Sequence, residues 1–101
     1  MTSTELILDI WSHRREDWTA RMTVKQVSFF LSLLRREGKL PPTAQRSYSL
    51  CNGGECPLDV VVYPNGAGFV RVEQWAMVPD NTVPSKWRLK TAEELAYERA
   101  R

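Results

Sequence analysis

Tyr63, Phe69, Arg71 and Trp75 occupy odd positions in two β-rich runs, residues 58–63 and 69–78. Side chains alternate along a strand, so a hairpin of these runs puts all four on one face. Aromatic sheet faces receive unpaired bases, each stack contributing about 1–3 kcal/mol, and a guanidinium beside them suits phosphate. The competing arrangement buries the rings as a second small core beneath Trp87 and the C-terminal segment, because exposed aromatic patches are uncommon on monomers. The opposite face of the same hairpin, Leu58, Val60, Val62, Val70, Val72, Ala76 and Val78, is purely apolar and is expected to pack on a helix.

A second candidate lies on a helix spanning residues 22–38. At about 100° per residue, Lys25, Ser28, Ser32, Arg35 and Arg36 fall on one arc. Serines among cations allow close approach to a phosphate backbone, with the cations supplying affinity. Solvated charge at a helix end produces the same pattern.

Other chemistries find little support. His13 follows Asp9 at helical spacing, which makes a local helix pair; sequence places no nucleophile beside it. The glycines of Asn52-Gly53-Gly54 and Asn65-Gly66-Ala67-Gly68 belong to hairpin turns rather than to loops that open helices. Cys51 and Cys56 flank the turn CNGGEC. With one histidine in the chain, no four-ligand zinc set assembles from cysteine and histidine alone. The expected state is two neutral, reduced thiols; a small disulfide and a two-chain zinc site are the other arrangements the spacing allows. Neither a cofactor nor a catalytic residue is expected, and the protein reads as a non-enzyme.

The 101 residues, 43% hydrophobic and 26% charged, suit a single domain over 1–101 with one core. A net charge of +2 permits a nucleic-acid partner without demanding one. No apolar run reaches the ~20 residues of a membrane helix, and the N-terminus lacks the pattern of a secretory signal. A cytoplasmic protein without a membrane partner is expected.

Three threonines, Thr2, Thr23 and Thr91, stand three residues before Glu5, Gln26 and Glu94 and predict capped helix starts. The first helix carries Leu6, Ile7, Ile10, Trp11 and Trp18 on one face and is expected to fade between Trp18 and Arg21. In the second, Val24, Val27, Phe29, Phe30, Leu31, Leu33 and Leu34 cover well over half the wheel. That predicts a central helix covered on two sides, with Leu31 and Leu34 fully buried. Gly38 ends it. A short strand at 47–50, a turn at Asn52-Gly53-Gly54, a strand at 58–63, a turn at 64–68 and a return strand at 69–78 make an antiparallel meander. A loop at 79–84 and a short edge strand around Trp87 and Leu89 precede the last helix.

The segment Thr23-Val24-Lys25-Gln26-Val27-Ser28-Phe29-Phe30-Leu31-Ser32-Leu33-Leu34 resembles the T-x-K-Q-x-x-F helical segment of small phage and plasmid proteins linked to DNA metabolism. The likeness spans about fifteen residues and departs from the pattern at Arg35-Arg36-Glu37. It implies a mobile-element origin and transfers no catalytic residue.

The resulting expectation is an α+β domain with two N-terminal helices on a three- to four-stranded antiparallel meander and a short C-terminal helix. The expected function is a small binding protein contacting nucleic acid. The competing class is a protein-binding module, such as an inhibitor of a host defence or replication factor. The candidate contact residues are Lys25, Arg35, Arg36, Tyr63, Phe69, Arg71 and Trp75.

Overall fold

Each of the three helices described begins where a threonine exchanges hydrogen bonds with the residue three positions on. The computed structural model describes residues 1–52, 55–83 and 86–100. In α1 (Ser3–Arg14), Glu5 N–H donates to Thr2 Oγ1 at 3.1 Å. In α2 (Val24–Arg36), Gln26 N–H donates to Thr23 Oγ1 at 3.1 Å and Thr23 N–H to Gln26 Oε1 at 2.9 Å. In α3 (Ala92–Arg99), Glu94 N–H donates to Thr91 Oγ1 at 3.1 Å. Such caps satisfy donors that a first turn leaves open. Gly38, at φ +70°, ends α2 in the left-handed conformation that a Cβ disfavours.

The architecture is α+β. Strands β1 (Arg15–Glu16), β2 (Thr19–Met22), β3 (Ser47–Asn52), β4 (Glu55–Val62) and β5 (Gly68–Val72) form one antiparallel sheet in the order β1-β2-β5-β4-β3. The expected meander is thus β3-β4-β5, extended by two strands where the body and fading end of the first helix were expected. Helix α1 stops at Arg14 because Asp17 takes φ 62°, a conformation Asp tolerates better than most residues, and turns the chain back. β2 then pairs the edge of β5, with Ala20 opposite Val70 and Met22 opposite Gly68. That pairing satisfies a row of backbone groups otherwise left open at a sheet edge.

The return strand is also shorter than expected. Its regular pairing with β4 ends at Leu58 opposite Val72. Glu73 N–H still donates to the Pro57 carbonyl at 2.8 Å, but Pro57 has no N–H to return. The chain leaves the sheet through a 3-10 turn (Gln74–Ala76), and β6 (Met77–Pro79) pairs with β7 (Trp87–Leu89) in a second, two-stranded sheet. The loop expected after Pro79 follows β6, though Pro84 lies outside the described residues, as do Gly53 and Gly54 of the expected turn.

Both N-terminal helices lie on one face of the larger sheet. Leu6, Ile7, Ile10 and Trp11 of α1 meet Val27, Phe30, Leu33 and Leu34 of α2 and Leu58, Val60, Val70 and Val72 of the sheet in one buried cluster. Close approach is built in at Gly68, where a Cβ would lie 2.7 Å from the Val61 carbonyl oxygen and 2.9 Å from Val27 Cγ2. Contrary to expectation, α2 is covered on one side only. Leu31 is half-buried, while Val24 and Phe29 are 55% and 48% exposed.

Two contacts fix the ends of this helical layer. Fully buried Ser3 donates through its N–H and its hydroxyl to the Glu37 carboxylate, at 2.7 and 2.6 Å. The carboxylate thereby sits on the positive end of α1, and the Ser3 hydrogen bonds hold its pKa below the ordinary value. At the other end Trp11 and Trp18 stack at 5.5 Å, and Trp87 meets Trp18 edge-on at 5.1 Å.

Candidate nucleic-acid interface

The exposed arc of α2 is a consequence of its one-sided packing. With Val27, Phe30, Leu33 and Leu34 turned inward, Lys25, Ser28, Phe29, Ser32, Arg35 and Arg36 face outward. No Asp or Glu lies between Val24 and Arg36. Glu37, the nearest carboxylate in sequence, is committed to Ser3 and Lys39, although the Arg36 charge also helps to lower its pKa. Arg36 donates to the Met1 carbonyl at 2.9 Å, which orients the guanidinium without neutralising it. Among the described residues Lys25 and Arg35 form no ion pair. Ser32 Oγ donates back to the Ser28 carbonyl at 3.1 Å, which leaves the hydroxyl oxygen open to a further donor.

The open face of the large sheet is different. Its register lays out two cross-strand rows, Thr19–Arg71–Asp59–Ser49 and Arg21–Phe69–Val61–Ser47. Arg71 Nη2 lies 3.1 Å from Asp59 Oδ2 and 3.1 Å from Glu73 Oε1, and Ser49 donates to Asp59 Oδ1 at 2.8 Å. Two carboxylates therefore already compensate the one arginine expected to meet phosphate. Phe69 is half-buried and Tyr63 is 44% exposed. Trp75, expected beside them, is carried off the face by the 3-10 turn and lines a groove against α3. Met77, two residues further along the same alternation, is buried.

The rings thus form no continuous platform, and the alternative covering does not occur either. Trp87 packs on Trp18 and α3 packs beside Trp75. Of the candidate residues, Lys25, Arg35 and Arg36 are brought together on α2, and Phe69 with Arg71 on the sheet. Tyr63 lies just beyond the end of β4 and Trp75 beyond the end of β5. Sequence reasoning missed Phe29, assigned to the core, and Arg21, assigned to the fading end of a helix. Nothing in a local pattern separates Phe29 from the buried Phe30 beside it.

The cysteines are bridged, Cys51 to Cys56, which corrects the expectation of reduced thiols: antiparallel pairing of β3 with β4 brings the two together across the strand ends. His13 Nδ1 lies 2.8 Å from the Asp9 carbonyl and 3.5 Å from its carboxylate, an exposed pair within one helix turn. Among the described residues no helix is long and apolar enough to cross a membrane, and no group of three or more His, Cys, Asp or Glu side chains is placed to hold a metal ion. No known protein family, curated protein or solved structure matches this chain.

Proposed function

We propose that this protein is a small non-enzymatic binding domain, of phage or mobile-element type, that contacts nucleic acid through the outer arc of α2. One observation carries the reading: Lys25, Arg35 and Arg36 stand on one exposed helix face that contains no carboxylate. Ser28 and Ser32 lie between the cations, small enough to admit a sugar–phosphate strand. Phe29 beside them offers a ring to an unpaired base. The likeness of residues 23–37 to a segment of phage and plasmid proteins supports the same assignment, because that segment is α2.

Anisotropy titrations of labelled single-stranded and duplex DNA across a salt series test the reading. Binding should weaken steeply as salt rises, and Arg35→Ala or Lys25→Ala should each lower the salt slope by roughly one unit. Absence of binding at low salt, or a flat salt response, overturns it.

A second reading rests on Val24 and Phe29, exposed at 55% and 48%. Apolar side chains within a cationic helix face also suit an acidic groove on a host protein. Capture of a partner from host lysate that survives nuclease treatment would favour this class.

A further inference from the structure

Helix α3 is attached to the rest of the protein differently from the other helices. None of its residues is buried. Ala92, Leu95, Ala96 and Arg99 border a groove of ≈ 240 Å³ whose other wall includes Pro57 and Trp75. Its ion pairs fall into two groups. Arg88–Glu94 and Lys90–Glu98, both at 2.7 Å, join α3 to β7 and to the residue just after it. Arg88 and the cap at Thr91 bring the Glu94 carboxyl down to about 2, so the first pair persists across ordinary pH. Among the described residues Arg99–Glu55 is the ion pair of α3 that reaches the large sheet.

Glu55 sits in an insecure part of that sheet. The β3–β4 ladder loses its register between Leu50 and Asn52, and Asn52 opposite Glu55 is its last pair. On the β5 side, pairing ends at Pro57 for want of an N–H. What spans the hairpin end is the bridge between Cys51 and Cys56, both exposed. A disulfide around so short a loop constrains little of the whole chain. Its effect is local, and Glu55 lies inside the loop it closes.

We propose that the Cys51–Cys56 bridge is a redox control on the docking of α3. A dithiol reductant attacks one sulfur of the bridge, passes through a mixed disulfide, and leaves as a cyclic disulfide. Its two electrons and two protons end on Cys51 and Cys56 as thiols. The hairpin end loosens, Glu55 no longer holds its position, and Arg99 loses its partner. Helix α3 then loosens about its junction with β7, which stays paired with β6, and opens the groove lined by Pro57 and Trp75. A disulfide oxidant, taking up the two electrons and two protons and leaving as its thiols, reforms the bridge and restores the latch.

Amide hydrogen exchange on the full chain, followed by mass spectrometry, tests this. With excess dithiothreitol, exchange in peptides covering residues 92–99 should rise roughly two- to fivefold, the range that loss of one surface ion pair supports. Peptides from α2 should not change. Glu55→Gln, kept oxidised, should match the reduced wild type and show no further response to dithiothreitol. Equal exchange of α3 in both redox states overturns the proposal, as does a Glu55→Gln variant that still responds. So does alkylation showing two free thiols in the air-equilibrated protein.

Discussion

The outer arc of α2 and the open face of the large sheet use the same residue types to different effect. Both expose arginine and serine, and both carry a phenylalanine, half-buried on the sheet and exposed on the helix. On the sheet, cross-strand register sets Asp59 beside Arg71, and Glu73 reaches the same guanidinium, so the cation closes on its own neighbours. On the helix, the nearest carboxylate is committed to the start of α1, and Lys25 and Arg35 are left facing solvent. An arginine becomes an anion-binding group only when its fold supplies no internal counter-charge. Neighbours in sequence do not settle that, because the compensating groups come from other strands.

The contrast between the faces of α2 should give the largest effects. Phe30→Ala should cost about 3–5 kcal/mol in denaturant unfolding, through lost burial and the cavity left behind. Phe29→Ala, one position along, should stay within about 0.5 kcal/mol and weaken partner binding instead. Leu34→Ala should cost about 2–5 kcal/mol and clearly more than Leu31→Ala, since only Leu34 is fully enclosed. Equal losses would mean that α2 has a second covered side.

Glu37 separates stability from binding. Glu37→Gln should cost about 1–2 kcal/mol, as expected for hydrogen bonds to a charged, partly buried group, while leaving affinity for an anionic partner intact. Because its carboxyl pKa is lowered on folding, this stabilisation is fully present above the ordinary value of 4.5 and fades as pH falls through the lowered value. Chemical melts from pH 6 downward should show wild type converging on the variant as the solution becomes acidic.

The smallest effect is the most discriminating. Arg71→Ala should leave the salt slope of DNA binding unchanged, whereas Arg35→Ala lowers it by roughly one unit. A fall of similar size in both would return the sheet face to the interface.

Features decided within a few residues were legible in the sequence. The three capping boxes, the end of α2 at Gly38 and the hairpin turn before Gly68 depend on local chemistry, and each is where the pattern put it. The β1–β2 hairpin was not legible, because Ile10, Trp11 and Trp18 keep helical spacing through it. What breaks the helix is the backbone of Asp17 together with the pairing that β5 offers to β2, a contact some fifty residues away along the chain. The aromatic face failed for a related reason. Alternation predicts a strand only while its partner can reciprocate, and Pro57 ends that partnership two residues before Trp75. The surviving part of the candidate site is the part carried by one helix.

Trp11, Trp18 and Trp87 come from α1, from the turn before β2 and from β7. The first two rings lie nearly parallel, 13° apart, and the third stands edge-on at 80°. Indole transitions held this closely mix, so circular dichroism in the aromatic region acquires a coupled signal belonging to the trio rather than to any one ring. Substituting Trp87 should reshape that signal without unfolding the helices, because Trp87 is only half-buried whereas Trp11 is fully enclosed. Trp75, on the far side of the 3-10 turn, stays outside the coupled set and emits on its own. The molecule therefore carries two optical reporters, one for the meeting of three distant stretches of chain and one for the surface beside α3.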